Sequence, residues 1–477
     1  MAEPKPHLSR ATKLLYGFGS VAFGAKDNAF SYFLLFYYTQ VLGLSPGLGG
    51  LALFLALVFD AISDPLVGYV SDRWRSRWGR RHPFMYFSAL PVAIGFFFLW
   101  NPPAGLSHQG LFAYLLLLAI IVRTLITFYE IPSSALGPEL SGDYDQRTSL
   151  FGYRYFFGWW GGLSMAALMY GWLLQSTADY PNGQLNPGGY HTYGVVVAVV
   201  MCLAILVSAR GTHAYIPYLR RPEAPKPFDA RRIAREIQQT LSNRSYLMLF
   251  VAGLFFALAV GVSASLNLYF STYFWELKPR QIFGIVLVQF VSALIALMAS
   301  RRISERWDKR RSALGLMLAG ILFGPLPVVL RLVQLFPGNE SPYLVPILMA
   351  HGMIEVAIVV SVSILLTSMV ADLVESIEIT TGRREEGLLL ATRTFSQKVV
   401  AGAGTFLAGL VLTAIRFPTD AQPGEIDPGT VARLGLAAAP LVSIFFFIGF
   451  LFVRGYSVSR EDHERNLTTL AGRAIEP

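Results

Sequence analysis

Residues 51–83 read LALFLALVFDAISDPLVGYVSDRWRSRWGRRHP, and this stretch sets the interpretation of the whole chain. Its first half is an apolar run interrupted by Asp60 and Asp64, and its second half ends in a loop crowded with arginines. A helix of roughly 20 apolar residues crosses the hydrocarbon core of a bilayer. Arginines just beyond such a helix mark its cytoplasmic end. The stretch therefore predicts a membrane helix followed by a cytoplasmic loop.

The composition extends this prediction to the rest of the chain. Of its 477 residues, 54% are hydrophobic and only 14% are charged, whereas a soluble domain carries about 25% charged residues. The apolar runs are too long and continuous for the alternating strands of a membrane barrel. Only one cysteine, Cys202, is present, which excludes an internal disulfide framework and a cysteine-based metal site. The sequence predicts an all-α membrane protein.

Turn residues divide the apolar runs into twelve segments, and one such turn is Pro187–Gly188–Gly189. We predict twelve transmembrane helices at roughly 13–41, 48–73, 83–101, 110–138, 147–176, 192–218, 244–275, 279–302, 311–335, 341–372, 386–416 and 431–455.

Lysine and arginine are concentrated in alternate loops, which fixes the expected orientation. The loops around residues 73–81, 220–235, 301–311 and 383–384 are basic, and the intervening loops carry few Lys or Arg residues. Both termini are therefore predicted to be cytoplasmic, in an inner membrane. The formal net charge of +9 follows from these loops, so nucleic acid is not an expected partner. We expect a monomer in contact with membrane lipid.

The charged segment Arg220–Asn243 separates two sets of six predicted helices. We expect an N-terminal six-helix bundle at 1–218, a cytoplasmic central loop at 219–243, and a C-terminal six-helix bundle with a short cytoplasmic tail at 244–477. The loops DRWRSRWGRRH (72–82) and RRISERWDKRR (301–311) occupy equivalent positions in the two halves. This correspondence favours parallel internal repeats.

Two carboxylates lie four residues apart in the second predicted helix. This spacing places Asp60 and Asp64 on one helix face, where two like charges in a low dielectric repel each other. A bound cation or proton neutralises them, and Thr127 of the fourth helix is a further oxygen ligand for a hard cation such as Na⁺. The alternative is a structural role, with the acids bonded to arginines such as Arg123 or one acid protonated.

Other charges at membrane depth are candidates for substrate contact or coupling. Asp27 is predicted either to accept hydrogen bonds from a substrate or to pair with Arg154, and Lys26 faces another direction. Lys398 in the eleventh helix needs a partner, for coupling or for structure. The candidates are Glu355 and Asp372 of the tenth helix and the acids of the second and fourth helices. Candidate aromatic residues either form a wall against a substrate or pack the core, and they are Tyr129, Tyr153, Tyr155, Trp159 and Trp160.

The cytoplasmic loops supply candidate ion pairs between helices, which hold one conformation closed or serve only to fix topology. The residues of the first loop are Asp72, Arg73, Arg77, Arg80 and Arg81, and a second mixed-charge loop, 382–387, follows Asp372. No GxxxxGK[ST] phosphate loop is present, so the sequence gives no sign of ATP-driven pumping or of another enzyme activity. No cofactor is expected apart from a coupling ion, Na⁺ or H⁺.

The runs YGFGSVAFGAKD, FDAISDPLVGYVSDRWRSRWGRRHP, YEIPSSALGPEL, GYRYFFG and MVADLVE resemble the glycoside–pentoside–hexuronide:cation symporter family, the family of the melibiose permease. This resemblance implies the major facilitator superfamily fold and symport of a cation with a small-molecule substrate. It implies cation ligands at Asp60, Asp64 and Thr127. It further implies substrate contacts at Asp27, Glu130 and Arg154, with Tyr153 and Trp159 nearby, and a charged coupling position at Lys398.

Three positions depart from the pattern of the sugar carriers in this family. Leu57 replaces an arginine before the first aspartate, and Ser134 and Ser363 align with tryptophans near the sugar. Two other functions therefore stay open beside sugar symport. One is symport of a lysolipid or other amphiphile on the same scaffold, and the other is a non-transporting receptor, for which no soluble signalling domain is visible.

Overall fold

The structure, a computed structural model, describes residues 8–141, 143–219, 242–306, 308–381, 386–457 and 465. All regular secondary structure in these ranges is helical. In the described ranges, helical segments lie at all twelve predicted positions and in the predicted order, which confirms the all-α class.

The first six helices are numbered along the chain. They are α1 (residues 10–41), α2 (Pro46–Arg73), α3 (His82–Trp100), α4 (His108–Leu140), α5 (Tyr144–Leu168) and α6 (Pro187–His213). Helix α1 is built from Arg10–Phe18, Ser20–Asn28 and Leu34–Phe36, joined by π turns at Ala29–Phe33 and Tyr37–Val41. A further π turn, Met169–Leu173, continues α5.

The remaining helices are α7 (Arg244–Tyr269), α8 (Pro279–Arg306), α9 (Lys309–Phe323, continued by Leu326–Leu332), α10 (Leu344–Thr381), α11 (Glu386–Ala414) and α12 (Pro428–Arg454). Within the described ranges, nine helices are long and apolar enough to cross a membrane. In the part of α11 whose side chains are described, Val399–Ala414 is apolar.

Apolar side chains line the outer faces of these helices. On α3, Phe87, Leu90 and Ile94 are 63%, 62% and 48% exposed, and they recur at the spacing of one helix face. A stripe of large apolar groups facing water costs free energy, whereas hydrocarbon accommodates it. The chain is therefore a multi-pass integral membrane protein.

Several helix ends differ from the predicted positions. Pro187 begins α6 rather than ending a turn, because Asn186 caps the helix by accepting from the Gly188 N–H and proline fits the first helical position. Helix α10 continues to Thr381, beyond the predicted end at 372. Helix α9 breaks at 324–325, where Gly324 precedes Pro325.

The chain forms two compact units. The first unit contains Met1–Lys226 and two later segments of the chain, Asn267–Val286 and Thr405–Ile426, and the second unit contains the rest. Hydrogen bonds join the segment Asn267–Val286 to α1. The Tyr273 hydroxyl donates to Gln40 Oε1 at 2.8 Å, and the Thr39 hydroxyl contacts the Tyr269 hydroxyl. The predicted domain boundaries stay a prediction, since residues 220–241 lie outside the described ranges.

Glycines allow α1 and α5 to approach closely. A methyl group on Gly24 would collide with the backbone carbonyl of Gly158, and one on Gly162 would lie 2.8 Å from the Gly24 carbonyl oxygen. On Gly17 it would lie 2.7 Å from Cβ of Tyr153. The close contact sets the position of the α1 residues that follow, including Asp27.

Candidate cation and substrate site

Three oxygen-bearing side chains meet between α2 and α4. The Thr127 hydroxyl lies 3.1 Å from Asp60 Oδ1 and 2.9 Å from Asp64 Oδ1. Arg123, one turn before Thr127 on α4, donates from Nη1 to Asp60 Oδ2 at 3.0 Å. Each helix thus supplies two side chains spaced by four residues, which places both pairs on facing surfaces.

When both acids are ionised, the Thr127 hydroxyl faces more acceptor oxygens than it has hydrogens. The Thr127 hydroxyl has one hydrogen, yet three acceptor oxygens surround it, because the Arg123 carbonyl lies 3.0 Å away as well. At least one carboxylate oxygen therefore faces the hydroxyl oxygen without a shared hydrogen. A proton on a carboxyl group, or a cation bound by the same oxygens, removes this conflict.

The two aspartates differ in surroundings, which their spacing alone does not reveal. Asp60 is 2% exposed and held by Arg123, itself 6% exposed. Asp64 is only partly buried. Arg123 compensates the charge of Asp60, and Asp64 is the more accessible of the two acids.

Helix α1 contacts this cluster through an aromatic ring. The Arg123 guanidinium lies over the Phe30 ring, 4.6 Å from its centroid. Phe30 belongs to the π turn Ala29–Phe33, a feature that recurs at functional sites and that apolar periodicity does not predict. A displacement of α1 near Asp27 therefore reaches Asp60 through Phe30 and Arg123.

Asp27 forms an ion pair with Lys26, the residue that precedes it in the chain. Lys26 Nζ lies 2.5 Å from Asp27 Oδ1, although Lys26 is predicted to face another direction. The long lysine side chain bends back from a position only 2% exposed, whereas the Asp27 side chain is 59% exposed. Lys26 is therefore an ion-pair partner of Asp27, although neighbouring helix positions point in different directions.

Arg154 lies on α5 and contacts α4. Its Nη1 donates to the Ser133 hydroxyl at 2.8 Å, and its guanidinium lies 5.4 Å from the ring centroids of Tyr16 and Phe23. The Ser133 hydroxyl also donates to the Glu130 carbonyl oxygen at 3.3 Å. Arg154 therefore reaches the turn of α4 that carries Glu130.

The five candidate aromatic residues do not share one surface. Tyr129 is fully buried, while Tyr155 is 66% exposed. Trp159 and Tyr153 are partly buried, and Trp160 stacks on Phe156 with ring centroids 5.1 Å apart. A wall containing Tyr129 is wrong for this structure, because a fully buried ring offers no surface to a substrate.

Ion pairs join helices at the basic loop of the first half. Arg81 lies 2.5 Å from Asp72, and both Arg80 and Arg81 contact Glu139, near the end of α4, at 2.6 and 3.3 Å. Sequence reasoning missed Glu139, although its GPEL motif near the predicted end of a helix marked it as a partner for loop arginines. Arg73 and Arg77 lie over the rings of Tyr69 and Trp78, respectively.

The second half repeats this arrangement. Lys309, which follows the basic loop between α8 and α9, lies 2.7 Å from Asp372 on α10. In each half, a basic residue at the junction of the second and third helices thus pairs with an acid on the fourth. The correspondence supports the predicted internal repeat. The side chain of Lys398 lies outside the described part of the structure, so its predicted role stays a prediction.

The fold and the acidic cluster define a polytopic membrane transport protein. A model of the MFS/sugar transport protein family matches residues 15–460, so the chain belongs to this family of the major facilitator superfamily, which confirms the resemblance noted in the sequence.

Individual relatives agree with this assignment. An uncharacterised symporter of Synechocystis sp. is 28% identical over 95% of each chain, and the putative glycoside/cation symporter YagG of Escherichia coli is 23% identical over 91% of this chain and 89% of its own. A chicken sodium-dependent lysophosphatidylcholine symporter is 32% identical over 32% of this chain and 29% of its own.

A solved structure shows the same fold. The xylose transporter XylE from E. coli, in an inward-open conformation, superposes with a TM-score of 0.63 at 14% identity, covering 95% of this chain and 98% of its own.

Proposed function

We propose that the chain is a cation-coupled symporter that binds Na⁺ or H⁺ at Asp60, Asp64 and Thr127. The observation that carries the proposal is the single Thr127 hydroxyl in contact with both carboxylates. A cation or proton at this point is shared by the two carboxylates and relieves the contact in which a single hydroxyl hydrogen faces three acceptor oxygens.

Coupling follows from the contacts that lead away from the cluster. Neutralising Asp64 changes which acceptor the Thr127 hydroxyl serves and how strongly Arg123 is drawn to Asp60. Arg123 contacts Phe30 of α1, three residues after Asp27. Cation binding therefore favours one packing of α1, and a substrate that prefers this packing binds more tightly when the cation is present.

The substrate that we propose is a glycoside, pentoside or hexuronide. Asp27, exposed beside its lysine partner, is an acceptor for sugar hydroxyls, and Glu130 and Arg154 are further polar groups of the proposed substrate site. The family description and the YagG relative support this class. We further propose that the protein works as a monomer by alternating access in an inner membrane, with both termini cytoplasmic.

A lysolipid is the second candidate substrate. The chicken lysophosphatidylcholine symporter is 32% identical over about a third of this chain, and Leu57, Ser134 and Ser363 are the positions at which the resemblance to the sugar carriers of the family breaks. In lipid symport, the same proposed cation site is coupled to transport of a less polar substrate.

A thermal-shift screen separates the two substrates. Purified protein is melted with sugars, uronides or lysophosphatidylcholine, each in NaCl and in choline chloride at equal ionic strength. A ligand that binds the native state raises the melting temperature by mass action. We expect a sugar or uronide to stabilise the protein more in NaCl or at lower pH. Stabilisation by the lysolipid alone would reject the sugar assignment and keep the cation site.

A further inference from the structure

A second ionisable pair lies in the other unit, far along the chain from the Asp60 cluster. On α10, His351 Nδ1 and Glu355 Oε2 are 3.6 Å apart, within ion-pair distance and one helical turn from each other. Glu355 is the twelfth residue of a helix that begins at Leu344, so it lies about 16 Å along the axis. That depth is near the middle of a bilayer core of roughly 30 Å.

The break in α9 fixes the orientation of the His351 ring. In a continuous helix the carbonyl of Phe323 accepts from the N–H four residues later, but this residue is Pro327, which has none. His351 Nε2 lies 2.8 Å from the Phe323 carbonyl oxygen and takes the missing place. The imidazole also stacks on the Phe323 ring, with centroids 4.5 Å apart.

This bond determines where protons reside. A carbonyl oxygen only accepts, so Nε2 of His351 carries a hydrogen and Nδ1 is the titrating nitrogen. Nδ1 faces the Glu355 carboxyl group. One proton between them gives either an imidazolium with a carboxylate or a neutral imidazole that accepts from a carboxylic acid. Without that proton, a carboxylate faces a lone pair in a setting where an uncompensated charge is costly.

Helix α11 of this unit carries Lys398, whose side chain lies outside the described residues, and the other helices of the unit carry no charge near the pair. On α9, a methyl group added to Gly324 would lie 3.7 Å from Glu355 Oε1, and the sequence of α9 has no ionisable residue between Arg311 and Arg331. Arg331 bonds to the Pro337 carbonyl and the Asn339 side chain. Helix α12, which packs on α9, carries no charged residue between Arg433 and Arg454. The sequences of α7 and α8 carry no charge at this depth.

We propose that His351 and Glu355 form a proton-binding site at the α9 break, separate from the Asp60–Asp64–Thr127 site. The pair binds one proton jointly and more tightly than either residue does alone. The Glu355 side chain is 44% exposed, so the site is not sealed inside the helix packing. A change in the protonation of this pair on α10 acts on the α9 break, because His351 also donates to the Phe323 carbonyl there.

Proton uptake by the purified protein tests the proposal without a substrate. Uptake is counted with a pH indicator in detergent between about pH 5 and pH 8, the range in which histidine sites titrate. We compare the wild type with His351→Gln, Glu355→Gln and the double variant. Each single variant is expected to bind the shared proton about tenfold more weakly, which moves uptake about one unit lower in pH. The double variant loses one proton in total.

Control variants distinguish loss of the proton-binding pair from loss of stability and from effects at the Asp60–Asp64–Thr127 cluster. Glu355→Gln leaves the His351 bond to Phe323 in place, so it reports even where His351→Gln reduces stability. His108→Gln and Glu340→Gln serve as matched controls, because each makes the same substitution at an exposed position away from the pair. The effects are expected to persist in Asp64→Asn. Unchanged uptake in Glu355→Gln, or a double variant that takes up as many protons as the wild type, would overturn the proposal.

Discussion

At the scale of single residues, Thr127 is the centre of the acidic cluster and Arg123 makes its two acids unequal. Asp60 is buried against a guanidinium, and Asp64 is partly buried on the next turn. The spacing in LVFDAISDP predicts that the acids share a face, but it treats them as equivalent. The difference between them arises from α4, whose register against α2 is a tertiary property that neither segment encodes alone.

Replacing each aspartate by asparagine is expected to separate stability from coupling. Asp60→Asn leaves the buried Arg123 without its carboxylate, so we expect the free energy of unfolding to fall by about 3 kcal/mol. Asp64→Asn retains that ion pair, and we expect a clearly smaller loss. Thermal melting of both purified variants measures the difference. Equal destabilisation would show that Arg123 does not distinguish the two acids.

The Thr127 hydroxyl is predicted to be required for cation binding. Thr127→Val keeps the shape of the side chain and removes the oxygen, so the cation is expected to bind roughly tenfold more weakly, or about 1.4 kcal/mol. Thr127→Ser keeps the hydroxyl and is the matched control, expected to stay near the wild type. Cation-dependent melting of the three proteins provides the measurement. Wild-type affinity in Thr127→Val would remove the hydroxyl from the site.

At the scale of elements, the contact between α1 and α5 depends on glycine. Gly24→Ala places a methyl group on the Gly158 carbonyl, and backbone cannot yield as a flexible side chain does. We expect a loss of about 1–3 kcal/mol, the usual cost of overpacking, with reduced transport. Gly152→Ala on α5 is the control, because no atom lies within 4 Å of its added methyl group. Melting curves of the two variants should therefore diverge.

The loop ion pairs of the two halves are expected to differ in strength. Glu139 is 7% exposed and contacts two arginines, whereas the Lys309 side chain that meets Asp372 is 32% exposed. Glu139→Gln should therefore lower the free energy of unfolding by about 3 kcal/mol, and Asp372→Asn by no more than about 1 kcal/mol. The comparison is made by denaturation in the same detergent. A larger loss of unfolding free energy in Asp372→Asn than in Glu139→Gln would contradict the ranking of these ion pairs by burial.

Much of the element structure could be predicted from the sequence, for identifiable reasons. Hydrocarbon thickness sets helix length, and turn residues mark the breaks, so twelve helices follow in the predicted order. The start of α6 was misplaced because Pro187 was interpreted as a turn residue, although Asn186 and Pro187 form a helix start. The π turns of α1 and the Lys26–Asp27 pair could not be predicted, because both depend on local packing rather than on apolar periodicity.

At the scale of the whole molecule, the repeat is the feature that connects sequence and structure. Paired basic loops indicate two related halves, and the pairs Arg80–Glu139 and Lys309–Asp372 give those loops the same role in each. The family match over residues 15–460 is consistent with both halves belonging to one transporter. The Asp60–Asp64–Thr127 cluster lies in the first half, and the His351–Glu355 pair lies in the second.

The most direct test of the cation site measures how Na⁺ and protons stabilise the wild type and Asp64→Asn. Melting temperatures are recorded in NaCl and in choline chloride at equal ionic strength, across pH, with Gly152→Ala as the unrelated variant. The account predicts that Na⁺ or protonation raises the melting temperature of the wild type and of Gly152→Ala, and that Asp64→Asn loses this response. An unchanged response to both ions in Asp64→Asn would contradict the cation site.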